Sequence, residues 1–65
     1  MSEVVDARGM RCPWPVLRLA RAMRTADVVT ILADDPAAPG EIAALAATHG
    51  WTVQHAQEGL RVSRA

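Results

Sequence analysis

Sixty-five residues, with seven basic and seven acidic side chains and zero formal net charge, are read as one domain over 1–65. The balanced charge argues against non-specific binding of nucleic acid. One cysteine excludes an internal disulfide and the cysteine pairs of a structural zinc centre, so a chain near the lower size limit for folding must rest on aliphatic packing.

No basic segment leads from Met1-Ser2-Glu3 into an apolar run, and no apolar stretch approaches the roughly 20 residues of a membrane span. A lone reduced thiol without an export signal fits the cytoplasm, and no membrane role is expected. Val4-Val5 reads as a short strand closed by the turn Asp6-Ala7-Arg8-Gly9. From Val16 the pattern turns helical, with Val16, Leu19, Ala20 and Met23 on one face and Arg18 and Arg21 opposite. Val28 to Ala33 is a continuous apolar, β-branched run that predicts an interior strand.

Asp34-Asp35-Pro36 turns the chain, and a second helix begins near Pro39 or Gly40. Its inner stripe is Ile42, Leu45, Ala46 and His49, and Gly50 ends it as a left-handed cap. Trp51, Val53 and His55 then alternate with Thr52 and Gln54, as in a strand with one covered face. Glu58-Gly59 makes a tight turn into a last strand, Leu60 to Arg64. The order is β-α-β-α-β-β. A right-handed crossover makes the first two strands parallel neighbours or near-neighbours, and both helices cover one face of a mixed four-stranded sheet. This is an α/β (α+β) two-layer sandwich. The order of the terminal hairpin within the sheet stays open.

Unusual chemistry is confined to Arg11-Cys12-Pro13-Trp14-Pro15. A residue before proline is pushed out of the helical region, so Cys12 fits an N-cap, with Pro13 at the first helical position and Pro15 in a slightly distorted first turn, or else the regular helix begins only after Pro15. The positive end of the helix dipole, the N–H groups of Trp14 and Val16, and the preceding Arg8 and Arg11 are all expected to lower the thiol pKa. A fall from roughly 8.5 to about 7 would make thiolate, the attacking species, a major form. A lone cysteine is often a buried, inert hydrophobe, but Cys12 lies off the apolar stripe in a turn-to-helix junction. With no second thiol, covalent sulfur chemistry must run between molecules, and a sulfur carrier needs no resolving cysteine.

Five of the seven arginines lie between Arg8 and Arg24. They form either a solvated helix face or a docking surface for an acidic partner, with Arg11, Arg18 and Arg21 as contact candidates. Trp14 is either exposed beside the thiol as a partner contact or folded back on the helix. Trp51 reads as core. His49 at a helix end and His55 on the covered strand face lack metal-ligand spacing, so neither a metal nor a cofactor is expected. Asp34-Asp35 reads as a solvated turn former.

Val5-Asp6-Ala7-Arg8-Gly9-Met10-Arg11-Cys12-Pro13-Trp14-Pro15, followed after the second strand by Ala33-Asp34-Asp35-Pro36, resembles the TusA-like (SirA-like) sulfur-carrier family over nearly the whole chain. The resemblance rests on the Gly-Xaa-Xaa-Cys-Pro turn, the Cys-Pro-Xaa-Pro helix start and the second landmark in the right order. It implies that Cys12 receives sulfur as a persulfide from a cysteine desulfurase or rhodanese-type donor. The sulfur then passes to an acceptor thiol, toward tRNA thiolation, molybdenum-cofactor enzymes or sulfur oxidation, with Pro13 and Pro15 shaping the motif. The chain departs from the family pattern at Arg24-Thr25-Ala26-Asp27, where a glycine turn is common, and at Glu41-Ile42-Ala43. The rival reading is a non-catalytic interaction module that uses the arginine-rich first helix, with Cys12 incidental.

Overall fold

The computed structural model describes residues 2–64. They form β1 (Ser2–Asp6), α1 (Trp14–Ala22), β2 (Val28–Leu32), α2 (Ala38–His49), β3 (Thr52–His55) and β4 (Leu60–Ser63), in the order expected. The strands make one sheet, β1-β2-β4-β3. β1 and β2 run parallel, while β4 is antiparallel to both β2 and β3. The last strand thus takes the interior place, and β3 lies at the edge. Inward residues explain the choice: β4 buries Leu60 and Val62, whereas Val53 of β3 is only half-buried.

Strand alternation and register line up Val5, Ile31 and Leu60, and beside them Val29 and Val62. All five are buried in one cluster with Leu19, Ala22 and Met23 from α1 and its end and Ile42 from α2. Both helices therefore cover this face, while Val4 on the opposite face is 65% exposed. Leu19, Met23, Ile31 and Ile42 are sealed from solvent, and each such burial contributes about 1.5–3 kcal/mol.

The apolar stripe of α1 is rotated from the expected one. Pro15, Leu19, Ala22 and Met23 are buried, and Val16 and Ala20 are half-buried. The proline at the helix start faces inward and sets the rotation. On α2, Ile42 and Ala46 are buried and Leu45 packs against the core, but His49 is exposed. It stacks on Trp51 with ring centroids 4.5 Å apart. Gly50 closes the helix at φ 73°, with Trp51 N–H donating to the Ala46 carbonyl at 2.8 Å. Trp51 is half-buried against the core. His55 shares the inward parity but is exposed, because it ends the edge strand.

Arg64, expected in the last strand but lying just past its end at Ser63, closes the structure. Its guanidinium donates to the Met23 carbonyl at the end of α1, lies 3.9 Å from Asp27 and sits over the Trp51 ring. Cations at helix carboxyl ends satisfy carbonyls that the helix leaves open. Among the described residues no helix is long and apolar enough to cross a membrane.

Candidate functional site

β1 and β2 end side by side, and the loops that follow them, 7–13 and 33–37, leave from the same end of the sheet. Reactive groups of open α/β sheets gather at the carboxyl ends of parallel strands. The last rung is Ala7 N–H to the Leu32 carbonyl, 2.7 Å. Beyond it Gly9 turns the chain at φ 82°, a left-handed conformation that favours glycine. Gly9 N–H then donates to Asp34 Oδ1 at 3.0 Å, and Cys12 N–H donates to Asp35 Oδ2 at 2.6 Å. The other oxygen of Asp35 accepts from Ala37 N–H at 3.1 Å.

The aspartate pair is thus more than a solvated turn former. It clamps the cysteine loop to the end of β2 and to the entry of α2. The sequence carried a signal for this role: parallel pairing of β1 and β2 puts a carboxylate pair at one strand exit opposite a Gly-Xaa-Xaa-Cys loop at the other. Cys12 itself is exposed, and the Cys12–Pro13 peptide bond is cis. Among the described residues no three His, Cys, Asp or Glu side chains gather to hold a metal ion.

The helix starts one residue later than the Cys12 N-cap reading and before the alternative start after Pro15. Pro13 is the N-cap, Trp14 opens α1 and Pro15 is its second residue. Trp14 N–H closes a reverse turn on the Arg11 carbonyl at 2.8 Å, so it is not offered to the thiol. The expected lowering of the thiol pKa is also overturned. Partial desolvation raises the Cys12 pKa, and the charges of Glu41 and Asp35 raise it further. Arg8 does not oppose them, because its guanidinium is held by Asp6 at 2.9 Å through both carboxylate oxygens. That pairing brings the Asp6 pKa down to about 2.

Alkylation of Cys12 by iodoacetamide is therefore expected to follow a thiolate titration displaced upward from ordinary cysteine, and to be slow at neutral pH. Glu41→Gln removes one opposing charge. The alkylation midpoint should move down, and the rate at pH 7.5 should rise by a factor of about two to three, the scale of one exposed charge interaction. An unchanged pH profile would mean that Glu41 does not act on the sulfur.

The candidate contact residues divide into two groups. Arg11 lines a shallow cleft of about 370 Å³ with Gly9, Met10, Asp34, Asp35 and Pro36. Trp14 is 61% exposed, as one of its two readings required, and Leu17 one turn later is 51% exposed. Arg11 and Trp14 flank the thiol in sequence and Leu17 lies in the first turn of α1, its N–H on the Pro13 carbonyl at 3.1 Å. Leu17 escaped the sequence reading because it stands between Val16 of the expected apolar stripe and Arg18, outside any motif. Arg18 and Arg21 line a different groove, joined there by Arg24. Only Arg18 reaches back to the loop, to Met10 Sδ at 3.9 Å.

A model of the family described as Sulfurtransferase TusA matches residues 3–63. Two Neisseria meningitidis proteins, one from serogroup A and one from serogroup B, are named as candidate sulfur carriers. Each is 40% identical over 60 residues, covering 88% of this chain and 81% of its own length. An Archaeoglobus fulgidus protein with the same description is 48% identical over 44 residues, covering 63% of this chain and 57% of its own length.

Proposed function

The chain belongs to the TusA sulfurtransferase family, and from that premise we propose that it is a single-domain cytoplasmic sulfur carrier that holds sulfane sulfur as a persulfide on Cys12. One observation carries the reading: the thiol is exposed while its backbone is fixed by the 2.6 Å hydrogen bond to Asp35. An inert structural cysteine would be buried. Pro13 and Pro15 shape the junction that holds the loop.

In loading, the Cys12 thiolate attacks the terminal sulfur of a donor persulfide. A sulfur–sulfur bond forms at Cys12 Sγ, the donor's sulfur–sulfur bond breaks, and the donor cysteine leaves as thiolate. The thiol proton passes to solvent. Delivery is the same exchange with an acceptor cysteine as the attacking group. Neither step consumes an oxidant or a reductant, and neither needs a second thiol in this chain.

The donor is a cysteine desulfurase or a rhodanese-type protein. The acceptor serves tRNA thiolation, a molybdenum-cofactor enzyme or sulfur oxidation. Arg11, Trp14 and Leu17 form the contact around the thiol, and Arg18 and Arg21 extend it along α1.

Incubation with a cysteine desulfurase and cysteine is expected to add one reducible sulfur atom to the intact mass, and Cys12→Ser is expected to add none while remaining folded. No gain from that donor or from a rhodanese-type donor would overturn the carrier reading. It would leave an interaction module with an incidental thiol.

A further inference from the structure

β1 is an edge strand. Ala7 N–H points across to β2, and the N–H and C=O of one strand residue point the same way. Glu3 and Val5 therefore pair toward β2, while Ser2, Val4 and Asp6 turn their backbone groups outward. On the helix side of this open edge runs a groove of about 640 Å³, lined by Glu3 and Val5 of β1 and by Arg18, Arg21 and Arg24. Arg18 and Arg21, three residues apart, neighbour one another on α1, an unfavourable arrangement for like charges, and Arg24 follows in the turn after the helix. Arg21 and Arg24 have no ion-pair partner among the described residues. Glu3 is the one carboxylate in the groove lining.

A row of open backbone hydrogen-bonding groups beside uncompensated positive charge fits one kind of occupant. We propose that the β1 edge and the arginine groove form a single docking surface for an extended acidic segment of a partner protein, which adds to the sheet as a fifth strand next to β1. Side chains on one face of such a strand recur about every 6.8 Å. Arg18 and Arg21 are about 4.5 Å apart along α1 and Arg24 follows in the turn beyond it, a mismatch that long guanidinium side chains absorb. Backbone pairing supplies strand-addition affinity, and the groove selects for carboxylates. A second copy of this chain is disfavoured as occupant, because pairing two β1 edges about a dyad brings two arginine rows to one seam.

The surface extends the partner contact proposed along α1 without requiring sulfur chemistry, since no groove residue belongs to the Cys12 loop. The experiment uses a fluorescein-labelled decapeptide of alternating glutamate and valine, followed by anisotropy and by amide chemical shifts of the whole chain. Three comparisons carry it: the lysine–valine counterpart, the glutamate–valine peptide N-methylated at alternate amides, and a single-stranded oligonucleotide. Binding is expected only for the unmethylated acidic peptide, with shifts at Ser2, Val4, Asp6 and α1. Arg21→Glu/Arg24→Glu should weaken it tenfold or more.

Val4→Pro removes an outward N–H without touching the β1–β2 ladder, a place where edge strands tolerate proline. It should abolish binding with the circular dichroism spectrum unchanged. If that variant unfolds, the N-methylated peptide still decides. Equal binding of the methylated peptide or of the oligonucleotide would reduce the groove to a general polyanion surface and overturn the proposal, as would shifts confined to the Cys12 loop or concentration-dependent dimerisation that occupies β1. Cys12→Ser should bind the peptide as wild type does. Failure of sulfur loading with intact peptide binding would count against the carrier reading alone.

Discussion

Gly59→Ala is expected to remove more than half of the chain's stability at 25 °C. A methyl group built on Gly59 would stand 2.2 Å from the Ile31 carbonyl oxygen and 3.1 Å from its carbon, with a Leu32 methyl at 3.2 Å. The obstructing atom is backbone, so no rotamer change relieves the contact. Ile31 cannot retreat either, because it pairs with Val5 on one side and Leu60 on the other. Moving the turn instead would strain the hairpin, where Ala56 N–H donates to the Gly59 carbonyl at 2.7 Å. Overpacking of this kind costs on the order of 3 kcal/mol or more, against about 5 kcal/mol available to a core of this size. Urea unfolding followed by circular dichroism checks it, with Gly40→Ala as control, since a methyl there meets nothing within 4 Å. A loss below about 1 kcal/mol would show that the hairpin turn swings freely.

The sequence carried the element order and the parallel pairing of β1 with β2, because both follow from local periodicity and crossover handedness. It did not carry the place of the hairpin. β3 and β4 both present short alternating patterns, and only the balance of two buried residues against one half-buried residue puts β4 inside. Cys12 was legible because Cys-Pro-Trp-Pro is a local signal. Its surroundings were not. Asp35 lies 23 residues away and Glu41 farther still, and both reach the thiol loop only because the parallel strand exits and the α2 entry converge. Charge near in sequence misled for the same reason: Arg8 is spent on Asp6, two positions away.

The same geometry separates two effects that usually move together in a reactive cysteine. Removing Asp35 is expected to make the Cys12 thiol more reactive toward a small electrophile and less competent toward a protein donor. The first effect is electrostatic: Asp35 is one of the charges that hold the thiol pKa up, so Asp35→Asn and Asp35→Ala both favour thiolate at pH 7.5. The second is positional. Asp35 ties Cys12 N–H and Ala37 N–H through its two oxygens. Alanine frees both, while asparagine retains one acceptor oxygen. Charge-assisted bonds of this kind are weakened by exposure to solvent, so Asp35→Ala should stay folded with only a small loss of stability.

Sulfur loading from a desulfurase should fall about tenfold in the alanine variant, the scale of a reacting group displaced by a loosened loop, and less in the asparagine variant. Iodoacetamide alkylation should rise in both. The pH dependence has a definite sign. These hydrogen bonds lower the Asp35 pKa, so the clamp is intact above the ordinary carboxylate range and is lost only as pH falls through that depressed value. The loading rate itself falls with the thiolate as pH drops, but the ratio of wild-type to Asp35→Ala loading should hold until pH falls below the range of a normal aspartate. If alkylation and loading instead rise or fall together across both variants, Asp35 acts on the sulfur through charge alone and the loop needs no clamp.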